Sequence, residues 1–400
     1  MIFILKPDYL LHVSEGAEKI AEELHIEIMN RIIDRIMARL NRGEDFMLTS
    51  YDKWQIEVLE EAGYLLEDIQ AEIAKRTKQQ TEEVKEAMEE AGVKTIEYDD
   101  KIYRNAGLSP VPLEQSPYMV RLMQKNYEAT LGEWRNFTRT TAAASQTIFI
   151  NAMDRAYNLV TSGAVSYTQA FEEVLSSVIG DGIVVVYPSG RKDTIETAAL
   201  RAVRTGISQM SGQIQIARME EMGVDLVLVS SHLGARPDHQ EWQGKVYSRT
   251  GNGYPDFVKS TGYGTVEGLC GANCRHSFGP YFEGMDNPFE QYDDEESQKR
   301  YELEQRQRTL ERRIRETKRQ CINKKEVIDN CKDEKMKFEY DLEYQRKANL
   351  QKRQNEAYQR FCKDNDLRPL SERIQIAKWD RQQAAAARGA AKRYKISRGD

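Results

Sequence analysis

Between residues 230 and 284 the chain concentrates the side chains best able to do chemistry: SSHLGARPDHQEWQGKVYSRTG, then YPDF, then GYGTVEGLCGANCRHSFGPYFEG. Three of the five histidines (His232, His239, His276), two of the five cysteines (Cys270, Cys274) and Trp242 fall here. Imidazole nitrogen and thiolate sulfur are zinc ligands, and paired loops are a common way to supply the ion's four. A site drawn from His232, His239, Cys270, Cys274 and His276 meets that need. Against it, Cys-Gly-Ala-Asn-Cys is one residue longer than the usual zinc knuckle, and no second Cys-x-x-Cys pair accompanies it. A thiol nucleophile with an imidazole base is a second chemistry, using Cys274 and His239. Asp238 directly precedes His239, however, and adjacent residues do not readily form the orienting bond of a triad. The glycines of GYGTVEGLCG match neither the P-loop nor the dinucleotide fingerprint, so a phosphate cradle is rejected. The third reading is a hydrogen-bonded staple. In it His239 packs on Trp242, Asp238 caps backbone amides and Arg275 pairs with a carboxylate. Arg236, Gly244 and Asn273 belong to the same structural motif.

These residues need elements to hold them. The β-branched run VDLVLVS, residues 224–230, predicts a strand that delivers the chain into the motif. Upstream, residues 197–222 read as a helix, and residues 183–187 and 191–195 as a hairpin turning at Pro188, Ser189 and Gly190. Ser166 and Gln169 have the spacing of a capping box opening a helix through residue 178. Ile26, Met29, Ile33, Ile36 and Leu40 recur at three- and four-residue steps, predicting an amphipathic helix over 8–40 that Gly43 stops. Further helices are expected over 51–91, ending at Gly92, and over 118–160. Residues 101–117, with Pro110, Pro112 and Pro117, read as an extended linker.

Beyond residue 284 the character changes. Residues 298–360 are almost wholly polar, and Leu303, Leu310, Ile314, Cys321, Ile328, Cys331, Phe338 and Leu342 fit the a and d positions of one heptad frame, interrupted by Lys324 and Lys335. A coiled-coil hairpin or partner-binding helix is expected. Residues 366–400 form a basic alanine-rich tail in which Arg388, Lys392, Arg393 and Lys395 are candidate nucleic-acid contacts. The fold class is therefore α+β, mainly α: a helical N-terminal region (1–117), a helical region with a hairpin near 183–196 (118–222), a compact α+β module with a short sheet (223–285), a long charged helix or coiled coil (286–365) and the tail.

Composition fits this organisation. Of 400 residues 30% are charged, and mean hydropathy is −0.69, which favours extended, solvated helices over one large globule. A net charge of −6 argues against a general nucleic-acid coat, leaving only a local basic segment. The start, MIFILKPDYL, is too short an apolar run for a secretory signal, and no run reaches the roughly 18 residues of a membrane span. Five irregularly spaced cysteines point to folding in a reducing cytoplasm.

Three blocks carry a resemblance: NFTRTTAAASQ from Asn136, YPSGRKDTIETAALRAVRTG from Tyr187, and SSHLGARPDHQEWQGKVY followed by GLCGANCRHSFGPYFEG. The chain resembles the phage minor capsid protein 2 family, head components of tailed phages and prophages. That resemblance implies a structural protein of head morphogenesis rather than an enzyme. Made in the host cytoplasm, it would be carried in the virion in several copies. Implied partners are the portal protein, the major capsid or scaffold proteins and packaged DNA, with no membrane and no cofactor beyond a candidate zinc. The family is similar to the broader class of the phage Mu F protein, which shows Cys-x-x-Cys and a terminal Cys-Arg-Cys. Here His239 and Trp242 stand near the first pair and Cys274-Arg275-His276 in the last position, a departure that favours the staple. The alternative function is a virion-delivered metal-dependent hydrolase or toxin-like effector using the His/Cys module.

Overall fold

Long apolar periodicities with few breakers produce long helices, and helix dominates this protein. The computed structural model describes residue 9 and residues 12–47, 50–187 and 190–398. The apolar run at residues 1–8 and the turn residues Pro188 and Ser189 lie outside the described residues. The longer helices are α1 (Glu15–Leu40), α2 (Tyr51–Asn105), α3 (Pro117–Thr161), α4 (Tyr167–Asp181), α5 (Ile195–Met222), α6 (Asp294–Asn330), α7 (Glu334–Asp364) and α8 (Arg381–Arg398). A two-stranded antiparallel hairpin pairs β1 (Val184–Val186) with β2 (Lys192–Thr194), Val184 opposite Thr194. A three-stranded antiparallel sheet has the order β4 (Val246–Ser248), β3 (Leu226–Val229), β5 (Phe278–Pro280). The protein is thus mainly α with small sheets, as expected. Gly43 stands at φ +89° just past α1, and the Ser166–Gln169 capping box opens α4.

One helix end differs from expectation. The sequence suggests a stop at Gly92, but α2 continues to Asn105, through part of the expected linker. An added Cβ at Gly92 would lie 2.6 Å from Met123 Cε, so this glycine serves close helix packing and not a cap. The cap comes at Gly107 (φ +83°), where Leu108 N–H donates to Tyr103 O (2.9 Å) and Gly107 N–H to Arg104 O (3.0 Å), a Schellman pattern.

The described residues fall into two compact units. The first holds the chain through Glu18, with Thr77–Asn136 and Thr197–Gln305. Its helical core joins Val84, Met88, Ala91 and Ile96 of α2 to Met119 and Leu131 of α3 and to Val203, Ile207, Met210 and Ile214 of α5. The three- and four-residue steps on α5 are the apolar stripe of a buried helix face. A second core forms at the sheet, where Val227, Val229, Tyr247 and Phe278 meet Trp242, Phe257, Leu269, Cys270 and Cys274. Behind it the fully buried Arg218 is balanced by Asp100 (3.3 Å) and Glu221 (3.0 Å).

The second unit holds Lys19–Arg76, Phe137–Glu196 and the chain from Arg306 on. Ile26, Met29, Ile33, Ile36 and Leu40 of α1 are buried, as their spacing requires. Arg319 of α6 reaches Glu196 at 2.6 Å and Glu22 at 3.6 Å, and His25 Nδ1 lies 3.1 Å from the other Glu196 oxygen. Helices α6 and α7 pair within the chain: Tyr358 O–H donates to Glu311 Oε1 (3.1 Å) and accepts Leu370 N–H (2.8 Å). The heptad frame holds along α6, where Ile314, Cys321 and Ile328 are buried and Leu303 and Leu310 half-buried, and Cys331 just past its end is buried too. It fails on α7, where Phe338 is 63% exposed and Leu342 44%. Residues 331–333 are not helical, and Asp333 caps a new helix by accepting Met336 N–H (2.8 Å). That break resets the phase, so Met336, Tyr340, Tyr344 and Ala348 turn inward instead. Lys324, an interruption of the seam on paper, is buried beside Glu343 with its ammonium 5.0 Å from the Tyr340 ring.

Candidate functional site

Strand β3 carries the chain to Ser230, which is clipped on two sides. Its N–H donates to Ser277 O (2.9 Å), and its hydroxyl accepts Ser277 N–H (2.9 Å). The clip brings the loop after β3 beside the loop before β5. On the first loop a one-turn helix, Pro237–Gln240, starts with proline at its first position and presents His239 inward. On the second, Cys270 (φ +62°) and Asn273 (φ +60°) adopt the left-handed conformation, turning the chain so that Cys274 and His276 return to the core. That conformation is unfavourable by about 1–2 kcal/mol for most side chains and mildest for asparagine. Gly268 allows the tightest approach: an added Cβ would strike the Gly262 carbonyl.

Three of the five expected donors converge. His239, Cys274 and His276 each offer a ligand atom, and these atoms lie within 4.8 Å of one another. All are buried, at 3%, 8% and 1% exposure, so bulk water has little access. Cys274 Sγ lies 3.7 Å from His276 Nδ1. Gln243 determines the state of that ring. Its Oε1 accepts the His232 backbone N–H (3.0 Å) and lies 3.0 Å from His276 Nε2. An oxygen fixed as acceptor requires Nε2 to carry the proton, which leaves Nδ1 with its lone pair toward the sulfur. On the other side, Glu267 O accepts from Arg236 and lies 2.9 Å from His239 Nε2, and Arg236 Nη2 sits 2.6 Å from that same nitrogen. Trp242 walls the cluster, 4.5 Å from the His239 ring and 4.8 Å from His276.

The electrostatics keep this cluster neutral. Burial holds His276 well below the ordinary imidazole range, helped by the His232 and His239 rings and by Arg275 and Arg236. Burial also lowers His239 and raises the Cys274 thiol. A thiol paired with a neutral imidazole is not the thiolate–imidazolium pair of a cysteine nucleophile.

The remaining site residues take other places. The His232 ring stacks on His276 at 4.5 Å, and its Nδ1 lies 3.1 Å from Leu233 O, outside the converging group. Cys270 is also outside it; burial, with Cys274 nearby, raises this thiol far above its ordinary range, opposed by a hydrogen bond with Ser208. Asp238, expected to cap amides, instead accepts from Arg236 Nε (2.8 Å), because the one-turn helix begins at Pro237 and its cap position is Arg236. Arg275 does find its carboxylate, Glu304, at 3.1 Å. Gly244 stands at φ +67°, and its carbonyl accepts from Asn287 (2.8 Å) and Gln291 (2.7 Å). Sequence reasoning missed Gln243 and the Glu267 carbonyl; the one signal for Gln243 is its place next to Trp242. Arg388, Lys392, Arg393 and Lys395 are exposed on α8, while Ala387, Ala390 and Ala391 bury the opposite face.

Comparison with known proteins agrees with the motif blocks. Residues 5–361 match the family model described as phage minor capsid protein 2. A protein named "Structural protein" from Lactococcus phage LL-H is 22% identical over 295 residues, covering 70% of this chain and 80% of that protein. No solved structure matches the chain. No helix among the described residues is long and apolar enough to cross a membrane.

Proposed function

We propose that this chain, which belongs to the phage minor capsid protein 2 family, is built into the phage head during assembly, docks in several copies on the portal or inner capsid wall, and meets packaged DNA through α8. The family match over residues 5–361 carries the reading, and the LL-H relative, itself named a structural protein, supports it. The chain's build suits the role. Long helices with charged outer faces offer shallow, repeated interfaces, and the sheet with its loop core offers a rigid unit.

The DNA contact rests on α8, which lies beyond the matched residues. Arg381, Arg388, Lys392 and Lys395 recur at seven-, four- and three-residue steps, so they form one stripe along the helix. All four are exposed, and α8 contains no acidic residue. A cationic stripe of this kind binds phosphate backbones without reading sequence.

The test is co-expression with the portal protein encoded by the same phage. The chain is expected to co-purify with portal rings through size exclusion. Separate elution at every salt concentration would sink the portal arm of the proposal.

A further inference from the structure

We propose that His239, Cys274 and His276 form a site for one divalent transition-metal ion of zinc's class, bound through a thiolate and two imidazole nitrogens. The converging atoms lie within 4.8 Å of one another, from two loops that the Ser230–Ser277 clip holds together. The outer partners are those of a metal centre. Gln243 Oε1 takes the Nε2 proton of His276, and Arg236 Nη2 and Glu267 O hold the His239 ring at Nε2, 2.6 and 2.9 Å away. His276 is thereby left with Nδ1 as its unprotonated nitrogen, 3.7 Å from Cys274 Sγ. An acceptor such as Gln243 fixes the tautomer and orientation of a metal-ligating histidine.

A thiolate with two imidazoles selects zinc, cobalt or copper over magnesium or calcium, which prefer oxygen. Binding forms the sulfur–metal bond as the Cys274 thiol releases its proton to solvent. The two guanidinium groups at the rim do not oppose a cation unbalanced. Arg236 is paired with Asp238 (2.8 Å) and Arg275 with Glu304 (3.1 Å). An ion here would tie the loop after β3 to the loop before β5, making the module a metal-closed staple. Cys270 takes no part, since it lies outside the converging group.

Cobalt(II) titration of the full chain, purified without metal, tests this. Expected are about one equivalent bound and a thiolate-to-cobalt charge-transfer band, both displaced by zinc. Cys274→Ala and His276→Ala should each weaken binding at least about tenfold, and Cys270→Ala should leave it unchanged. If Cys274→Ala does not fold, a chain whose other four cysteines are alanine should still show the band. The proposal is overturned if the natural chain takes up no stoichiometric cobalt or shows no thiolate band. A band that survives Cys274→Ala, or that vanishes in Cys270→Ala, overturns it equally.

Discussion

At the scale of single residues, Gln243 shows how much one buried acceptor can organise. Its Oε1 receives the His232 N–H and orients His276, both 3.0 Å away, within a 5%-exposed position. Gln243→Leu keeps the volume but strands the buried His276 donor and the half-buried His232 N–H. Unfolding free energy in urea should fall by about 1–3 kcal/mol, whereas an unchanged midpoint would mean that His276 finds another acceptor. The chemistry of this site was partly legible from residue types: His239, Cys274, His276, Trp242 and Arg275 could be picked out as one motif. What stayed hidden depended on backbone conformation. Asparagine favours the left-handed conformation, but nothing in Cys-Gly-Ala-Asn-Cys announces that Cys270 adopts it too, or that Cys274 and not Cys270 joins the two histidines.

At the scale of elements, periodicity located the helices and misjudged two of their joints. Gly92 and Gly107 are the same residue type, yet one packs against Met123 and the other caps α2. The difference lies in tertiary neighbours that a linear pattern does not contain. The α6–α7 break is hidden in the sequence because charged residues follow the heptad frame straight through it, and only the Asp333 cap resets the phase. Within the second unit, the elements meet around carboxyls whose titration should be visible. Burial, with Glu196 nearby, raises Glu22 from 4.5 to about 7. Burial and Glu339 raise Glu172 to about 7, and burial and Glu326 raise Asp34 to about 6. A folded state that holds protons the unfolded chain has released is stabilised below the unfolded pKa and loses that stability as pH rises through the folded one. Glu196 is lowered despite its burial, by Arg319 and His25, so its contribution is lost only in acid and leaves the neutral window to the raised groups. Stability of this unit should therefore decline from about pH 4 to about pH 7. Glu22→Gln should flatten that slope; an identical pH profile in the variant would place the titration elsewhere.

At the scale of the whole molecule, the family could be read from three sequence blocks, and the match over residues 5–361 agrees. The arrangement of buried charge could not, because Arg218, Arg319 and Lys324 look in sequence like any other surface cations. The stripe on α8 carries the DNA prediction. Replacing Arg388, Lys392 and Lys395 by alanine should weaken binding to any duplex and reduce the slope of log affinity against log salt by roughly 2–3, near 0.9 for each phosphate no longer neutralised. A slope unchanged by the triple variant would remove α8 from the interface. The most direct test of the head-protein account is quantitative mass spectrometry of purified, DNA-filled heads from a phage that encodes this chain. The account predicts the chain in several copies per head, retained after the particles are banded and washed. Heads that assemble and fill with the chain absent from them would contradict it.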